Sequence, residues 1–305
     1  MAPLFLGIDI GTSGVRATVI NAAGQTQAWR RQDFNGLSLP GEQDAQIWWD
    51  ALDTLLTDLA TEGLGPQIAA IGVDATSGTV LAVDADNQPV APALMYNDSR
   101  ASAEAMRVAA IAPHQSAAHG AGSGLARYLY LRTHSSAVDW VSQADWILRR
   151  LGADNGHSDQ HNMLKWGWDP VSGTWPGWLA TLGIDIATWP QVHVPGTPIG
   201  QISPLLAARF SLNPDCRLCA ATTDSNAAFI ATGAHRCGEA VTSLGSTLVT
   251  KVLSKTPVFA PEYGVYSHAL GDLWLVGGSS NSGGAVLKQH FCPGEIQALS
   301  ARVNP

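Results

Sequence analysis

The segment from Asp9 to Arg16 brings together the groups that bind phosphate and a divalent cation. Asp9 supplies a carboxylate, and Thr12 and Ser13 supply hydroxyl and backbone N–H donors next to Gly11. Donors in a glycine-containing turn can bind phosphate oxygens, and a carboxylate can hold Mg²⁺, often through water. The alternative is a plain β-hairpin in which Asp9 caps its own turn.

An alternating pattern predicts the strand that carries Asp9. Leu or Ile occupies every second position from residue 4 to residue 10, which is the period of a β-strand. The β-branched residues in the range 17–20 predict a second strand after the turn. We expect Gly11 and Gly14 to let the backbone bend and approach a ligand closely, because neither has a Cβ atom.

The composition indicates a folded chain with room for two domains. The 305 residues are 46% apolar and 14% charged, with a formal net charge of −8, which allows a large core. The acidic balance argues against nucleic-acid binding through an excess of Lys and Arg. No apolar run approaches the roughly 18 residues of a membrane-spanning helix, and the first residues lack the pattern of a signal peptide. We therefore expect a cytoplasmic protein with no nucleic-acid or membrane partner.

The cysteine and histidine spacings do not predict a metal centre. Cys216 and Cys219 have C-x-x-C spacing, but a predicted strand over residues 216–222 would point them to opposite faces. We expect both to be buried structural thiols. His157 and His161 have no cluster of Cys or Glu at ligand spacing, so zinc is not expected.

Two segments have the pattern of a capped helix. Asp44 precedes an apolar stripe over residues 47–59, which is typical of a helix with one buried face. Ser203 precedes Pro204, and this pair suits an N-cap and a first helical position.

Tryptophan is concentrated in one part of the chain. Seven of the eleven tryptophans lie between residues 140 and 189. Core packing and loop anchoring are the expected roles, and stacking of a sugar ring is the alternative.

Polar turns follow two predicted strands in the first half of the chain. Residues 68–73 predict a buried strand that runs into the turn 74–78, and residues 93–96 lead to the turn 97–100. Ligands bind at the carboxyl ends of strands in open α/β sheets. Asp98 and Arg100 either bind a polyol or pair with each other to hold a loop.

Another carboxylate stands at a predicted strand-to-helix junction. Residues 218–223 predict a strand, Asp224 follows it, and residues 225–231 have the small side chains of a closely packed helix. A carboxylate there gains from the helix dipole and can face a cleft. The alternative is an ordinary acidic residue in the first turn of a helix.

The design of the opening turn recurs later in the chain. Gly245, Ser246 and Thr247 stand between two segments that predict strands. Two such hairpins facing across a cleft could hold the phosphates of a nucleotide from both sides. The repeat indicates two related domains.

Six segments, in order along the chain, resemble motifs of the FGGY carbohydrate kinases: residues 8–16, 43–49, 96–100, 165–169, 223–228 and 244–247. The resemblance runs from residue 4 to about residue 290. It implies an α/β protein with the actin-like ATPase fold, made of two ribonuclease-H-like domains of which the second is incomplete. The implied domains are a sugar-binding and catalytic domain over residues 1–233 and the start of a nucleotide-binding domain over residues 234–305.

The resemblance also implies phosphoryl transfer from ATP to a sugar hydroxyl in the presence of Mg²⁺. Asp224 matches the catalytic base of the family, and Asp9 matches the residue that orients Mg²⁺. The residues expected to position the phosphates are Gly11, Thr12, Ser13, Arg16, Gly245, Ser246 and Thr247. For Arg16 the alternative is a strand residue that faces elsewhere. The residues expected around the sugar are Asp74, Thr76, Ser77, Asn97, Asp98 and Arg100.

The turn after residue 73 looks closer to the ribulokinase and pentulose-kinase branch than to glycerol kinases, whose turn carries an Arg-Glu pair. A ketopentose such as D-ribulose or D-xylulose is therefore the expected substrate, and the small residues Ala75 and Gly78 leave room for it. Family members are usually longer, and the later glycine-rich adenosine motif is not in these residues. We expect a fragment of a kinase, with little kinase activity by itself.

Two other functions share parts of this pattern. A noncatalytic sugar-binding remnant would bind sugar without releasing ADP. An actin-like phosphohydrolase would hydrolyse ATP or polyphosphate without a sugar. The sequence leaves the oligomeric state open, with a homodimer as one alternative.

Overall fold

The computed structural model describes residues 2–34, 36, 41–120, 122–244, 248–280 and 283–303. The chain divides into two compact units, Met1–Ala227 and Ala228–Pro305. The domain boundary predicted from the sequence falls later, after residue 233. Each unit is described separately below.

The strands of the first unit are short and numerous. In chain order they are β1 (Leu4–Ile10), β2 (Gly14–Asn21), β3 (Thr26–Asp33), β4 (Glu42–Gln43), β5 (Ile68–Ala75), β6 (Val80–Val83), β7 (Ala93–Leu94), β8 (Asp139–Ser142), β9 (His157–Asp159), β10 (Gln191–His193), β11 (Pro198–Gln201), β12 (Arg217–Cys219) and β13 (Thr222–Thr223).

The helices of the first unit are α1 (Ala45–Ala60), α2 (Ser102–Ala109), α3 (Gly124–His134), α4 (Gln143–Leu151), α5 (Gln160–Met163) and α6 (Pro204–Arg209). A further helix, α7 (Asp224–Ile230), contains the division between the units. Short 3₁₀ helices lie at Gly65–Gln67, Leu164–Trp166, Gly177–Leu182 and Ile186–Thr188.

A seven-stranded sheet organises the described part of the first unit. Its order is β11-β12-β5-β1-β2-β3, and β13 pairs with β5 beside this path. The strands β1, β5, β12 and β13 run parallel where they pair, whereas β2, β3 and β11 pair antiparallel to their neighbours. The carboxyl ends of β1, β5 and β13 therefore meet at one edge of the sheet.

The opening strand and the first long helix confirm the patterns read from the sequence. Leu4, Leu6, Ile8 and Ile10 of β1 are buried. The carboxylate of Asp44 accepts the Gln46 N–H at 2.9 Å, so Asp44 caps α1 as predicted. The apolar face of α1 packs on β2 and β3. The core of the first unit thus lies between this helix and the sheet.

The strand predicted over residues 218–223 is interrupted, and this part of the prediction was wrong. Ala220 leaves the sheet because its N–H donates to the Thr197 carbonyl and its carbonyl accepts the Gly196 N–H, both at 2.8 Å. Cys216 is buried and Cys219 is partly buried. Burial raises the pKa of the Cys216 thiol to about 12, which keeps it protonated and unreactive.

The second unit contains a four-stranded antiparallel sheet in the order β14-β15-β17-β16. Its core includes Phe229, Leu253 and Leu275. Its elements are β14 (Ala240–Leu244), β15 (Leu248–Ser254), β16 (Tyr266–Leu270), β17 (Leu273–Ser280), α8 (Gly284–His290), α9 (Pro293–Ser300) and a 3₁₀ helix at Pro261–Tyr263. The turn predicted to bind phosphate, Gly245 to Thr247, lies outside the described residues.

Across the residues that the structure describes, no helix is long and apolar enough to cross a membrane.

Gly14 serves the packing of the sheet. A Cβ atom at this position would lie 2.5 Å from the Gln32 carbonyl oxygen and 3.0 Å from the Asp33 Cα atom. The absence of a side chain at Gly14 therefore lets β3 approach β2 closely, a role that the sequence interpretation of a ligand-facing glycine had missed.

Replacing Gly14 with alanine should lower the free energy of unfolding by about 1–3 kcal/mol. The added Cβ atom would clash with main-chain atoms of β3, which cannot move aside as a side chain can. Thermal or urea unfolding measures this. Gly7→Ala on β1 is the matched control, since its nearest neighbour would be 3.8 Å away. Equal stability of the two variants would contradict the close approach.

Candidate active site

Strand register places two predicted site residues side by side. Asp9 on β1 pairs with Asp74 on β5 and with Arg16 on β2. Directly paired residues of neighbouring strands project from the same face of a sheet. The three side chains therefore meet near the carboxyl end of β1.

Arg16 forms an ion pair with Asp9. Its Nη1 atom donates to Asp9 Oδ2 at 2.7 Å, and both side chains keep about a third of their surface exposed, 36% and 32%. The sequence left open whether Arg16 faces the turn or faces elsewhere. The structure places its side chain beside Asp9 and partly exposed to solvent.

Asp74 carries the largest electrostatic perturbation in this cluster. Burial, the negative charges of Asp9 and Asp224, and a hydrogen bond with Asp9 together raise its pKa to about 8, while Arg16 acts in the opposite direction. These effects require the four side chains to be near one another. The structure thus brings together Asp9, Arg16, Asp74 and Asp224.

Asp224 stands at the junction that the sequence predicted. β13 pairs with β5 through Thr222 and Asp74, and Asp224 is the first residue of α7. Two residues of α5 hold β13: His161 Nδ1 lies 2.7 Å from Thr222 Oγ1, and Asn162 Nδ2 donates to the Thr222 carbonyl at 3.2 Å. His161 therefore supports the strand before Asp224.

The turn after β1 is closed by a backbone hydrogen bond and leaves two hydroxyl side chains at the surface. The Gly11 N–H donates to the Gly14 carbonyl at 3.0 Å, and Thr12 and Ser13 are exposed. The Phe34 N–H donates to the Ser13 carbonyl at 2.9 Å, which fixes the turn from the side of β3.

Gln43 supports the same turn from the interior, and sequence reasoning did not assign it this role. Its Nε2 atom donates to the Thr12 carbonyl at 2.8 Å, and its Oε1 atom accepts the Trp48 indole N–H at 2.7 Å. Gln43 and Trp48 are buried. The only signal in the sequence was that the segment 43–49 resembled a family motif.

Thr76 is buried and its hydroxyl is occupied by protein groups. The Oγ1 atom lies 2.6 Å from both Gln143 Oε1 and Thr79 Oγ1. The Thr76 N–H also donates to Gln143 Oε1, at 3.1 Å. Ser77 is partly buried next to it. The structure thus turns the Thr76 hydroxyl toward the interior of the protein.

Asp98 and Arg100 pair with each other. Arg100 Nε donates to both carboxylate oxygens of Asp98 at 3.0 Å, and Arg100 Nη2 donates to Glu42 Oε2 at 2.8 Å. Of the two roles considered, the structure shows the pair that holds a loop. Asn97, in the same turn, is exposed.

A buried arginine, Arg127 of α3, holds the loops that contain the predicted sugar-binding residues. Its Nη1 atom donates to the carbonyls of Gly78 and Gly122 at 2.9 and 3.0 Å. Its Nη2 atom donates to the carbonyls of Tyr96 and Asp98 at 2.6 and 2.8 Å. Burial lowers the pKa of Arg127 to about 10, so the side chain stays charged near neutral pH. No feature of the sequence pointed to this residue.

Three comparisons with known proteins locate the chain among kinases. The profile described as "FGGY family of carbohydrate kinases, N-terminal domain" matches residues 4–144. The xylulose kinase of Streptomyces coelicolor is 29% identical over 90% of this chain and 59% of its own length. Over residues 4–144 the chain is thus similar to the N-terminal domain of FGGY carbohydrate kinases. The gluconokinase of Bacillus subtilis is 20% identical over 98% of this chain and 62% of its own length.

The crystal structure of a xyloylose kinase from Brucella ovis superimposes with a TM-score of 0.82 at 24% identity, covering 94% of this chain and 62% of that one. Likeness at this identity establishes the fold, which is that of the FGGY kinases, the actin-like ATPase fold. The chain spans about three fifths of the length of the curated relatives it matches, 59% for the xylulose kinase of Streptomyces coelicolor.

The carboxylates at this sheet edge suit a cation that also binds phosphate. Among the residues that the structure describes, no group of three or more His, Cys, Asp or Glu side chains is arranged to hold a metal ion. Mg²⁺, however, is usually bound by one or two carboxylates together with waters and substrate phosphates. Burial is the main cause of the raised pKa of Asp74, and the repulsion from Asp9 and Asp224 that adds to it is the kind that a nearby cation relieves.

Replacing Arg127 with lysine should lower the free energy of unfolding by about 3 kcal/mol or more, because one ammonium cannot serve carbonyls in three separate loops and leaves buried acceptors without donors. Chemical denaturation measures the change. Arg132→Lys on the same helix is the control, since exposed Arg132 donates to the Gly183 carbonyl at 2.8 Å at the surface. Equal, small losses in both variants would contradict the role of Arg127.

The raised pKa of Asp74 predicts a pH-dependent stability. A carboxyl group that holds its proton more tightly in the folded state stabilises the fold below its unfolded pKa, and this contribution is lost as the pH rises through about 8. Asp74→Asn mimics the protonated group and does not titrate. Its unfolding free energy relative to the native chain should therefore rise between pH 5 and pH 9 by at least about 1.4 kcal/mol, the value of one pKa unit.

Asp58→Asn is the control for this experiment, because Asp58 is an exposed residue of α1. Its stability relative to the native chain should not change between the two pH values. A constant difference for Asp74→Asn as well would show that Asp74 is ionised at both pH values.

Proposed function

We propose that the protein transfers the γ-phosphoryl group of ATP to a hydroxyl of a small sugar. The observation that carries the proposal is the cluster of Asp9, Arg16, Asp74 and Asp224 at the carboxyl ends of β1, β5 and β13. The match of residues 4–144 to the FGGY carbohydrate kinases supports the reaction class, and the position at the strand ends is typical of ligand sites in α/β sheets.

Two carboxyl groups, Asp74 and Asp224, are proposed to act on the sugar that accepts the phosphoryl group. Asp74 has a pKa of about 8 and is mostly protonated at neutral pH, so its O–H can donate to the Asp9 carboxylate while its other oxygen accepts a hydrogen bond from a sugar hydroxyl. Asp224, at the start of α7, is proposed as the base that accepts the proton of the attacking hydroxyl. General base catalysis of this kind contributes about 10²–10⁴-fold to a rate.

The donor side is proposed to use the turn after β1. Exposed Thr12 and Ser13, together with Gly11, would contact phosphate oxygens, and Arg16 would stabilise charge on the transferring group. Asp9 would hold Mg²⁺, which when bound neutralises charge on the phosphates. Gly245, Ser246 and Thr247, which lie outside the described residues, are also proposed to position phosphates.

A ketopentose, D-xylulose or D-ribulose, is the proposed acceptor. The xylulose kinase among the relatives supports this choice. The name of the gluconokinase indicates a different acceptor for that relative. Thr76 and Asp98 are held by protein partners, so we propose that they shape the sugar site, and that Ser77, Asn97 and Arg100 contact the sugar. A cytoplasmic location and a homodimer stay predictions.

The test is ADP release from Mg·ATP with D-xylulose, D-ribulose, gluconate and glycerol, accompanied by calorimetric sugar binding. We expect slow ADP release with a ketopentose, because the chain spans only about three fifths of the length of the curated relatives it matches. Asp224→Ala should lower this rate at least a further hundredfold with little change in sugar affinity, because only the proton acceptor is removed. Asp58→Ala, an exposed acid of α1, should retain full activity.

Three results would point elsewhere. Sugar binding without ADP release would favour the noncatalytic sugar-binding alternative. ATP hydrolysis that is independent of sugar would favour a phosphohydrolase. Unchanged ADP release in Asp224→Ala would remove that residue from the mechanism.

A further inference from the structure

Asp159 is a buried carboxyl group to which the proposed reaction gives no direct part. It is the last residue of β9 and the N-cap of α5, and its side chain is fully buried. Its Oδ1 atom accepts the N–H groups of His161 and Asn162 at 2.8 and 2.9 Å. Burial and the charge of Asp145 raise its pKa to about 7, while hydrogen bonds from Asn162 and His161 act in the opposite direction. A carboxyl group is costly to bury, so the group that it orients is of interest.

Asn162 is the side chain that Asp159 orients. Its Nδ2 atom donates to Asp159 Oδ2 at 2.7 Å and to the Thr222 carbonyl at 3.2 Å, which uses both hydrogens of one NH₂ group. The side-chain oxygen of Asn162 could not take the same place, because it would face two acceptors. Asp159 therefore fixes the direction of the Asn162 amide, which points at β13.

β13 depends on such support because it is short. It consists of Thr222 and Thr223, and the chain leaves the sheet just before it, at Ala220. Two residues form few hydrogen bonds with a neighbouring strand. The helix α5 packs against β13 and holds Thr222 at two points, through the Asn162 amide and through His161 Nδ1, which lies 2.7 Å from Thr222 Oγ1.

The core of the first unit fixes the other end of this connection. β9 pairs in parallel with β10, and the Ser158 hydroxyl donates to Asp145 Oδ2 at 2.7 Å. Ser158, Asp145 and Asp159 are all buried. Asp159 is thus a fixed point from which Asn162 holds β13.

The strand held in this way leads directly into the proposed base. Asp224 follows Thr223 and is the first residue of α7, so a displacement of Thr222 also moves the main chain of Asp224. A displacement of about 1 Å can lower a rate about a hundredfold, even when it arises away from the reacting atoms.

We propose that Asp159 and Asn162 are positioning residues, which hold β13 through the Thr222 carbonyl and thereby place Asp224 to accept the proton of the sugar hydroxyl. This inference rests on the proposed kinase function. Both residues act through the main chain of β13 rather than through a contact with the sugar.

Asn162→Ala removes the connection and tests the proposal with two measurements. We expect kcat for sugar-dependent ADP release to fall at least tenfold, with less than a twofold change in KM for the sugar, because the base moves while the sugar-binding groups stay in place. We also expect the main-chain amides of residues 222–224 to exchange hydrogen at least fivefold faster, as measured by mass spectrometry, because β13 loses a buried hydrogen bond. Exchange in β12 should not change.

Ser158→Ala is the matched control, because it removes a buried hydrogen bond from the residue before Asp159 and leaves the contacts with β13 intact. It should retain the kcat of the native chain and its exchange rates at residues 222–224. If Asn162→Ala fails to fold, Asp159→Asn keeps the size of the side chain and places an NH₂ group where the carboxyl group accepts hydrogen bonds. It is expected to give the same lower kcat and faster exchange.

Equal losses of kcat in Asn162→Ala and Ser158→Ala would indicate a general loss of stability and overturn the inference. An unchanged kcat in Asn162→Ala, with Asp224→Ala inactive, would show that the base is placed without α5, and the proposed function would stand. Absence of ADP release from the native chain would overturn the proposed function and, with it, the catalytic role of this connection. Unchanged exchange at residues 222–224 in Asn162→Ala would overturn the connection itself, whatever the activity.

Discussion

The pairing of β1 with β5 imposes the constraint on which the candidate site depends. It sets Asp9 beside Asp74, and β13 adds Asp224 to the same sheet edge. Like charges at this separation repel strongly where water is partly excluded. The protein meets the repulsion with the Arg16 ion pair and with a proton held on Asp74. A bound cation would reduce the repulsion between these carboxyl groups. We therefore propose that phosphoryl transfer takes place at this edge of the sheet.

The loops around the site are held from inside the protein. Gln43 holds the turn after β1 through the Thr12 carbonyl, and Arg127 holds several loop carbonyls. Main-chain carbonyls in loops need donors when they are buried, and a planar guanidinium supplies several in a fixed geometry. Such supports leave the exposed side chains of the same loops available for ligands. The exposed side chains can therefore vary without loss of these buried supports.

The first unit combines two kinds of polar environment. At the sheet edge, carboxyl groups and an arginine stand close to solvent and influence each other through charge. Away from that edge, the indole N–H groups of Trp140 and Trp166 are buried in a cluster of aromatic rings around Tyr128. The first arrangement suits charged phosphates and proton transfer, whereas the second contributes apolar packing.

The sequence by itself determined the elements that depend on neighbouring residues. The alternation in β1, the Asp44 cap of α1 and the junction at Asp224 were predicted and confirmed, because period and capping act within a few residues of the chain. The pairing of Asp9 with Asp74, the inward turn of the Thr76 hydroxyl, the interruption of the strand at Ala220 and the role of Arg127 were decided only by the tertiary structure. Each of these features joins segments that are far apart in the chain. Strand register and buried hydrogen bonds depend on how such segments pack together, and the sequence around any one residue does not specify this.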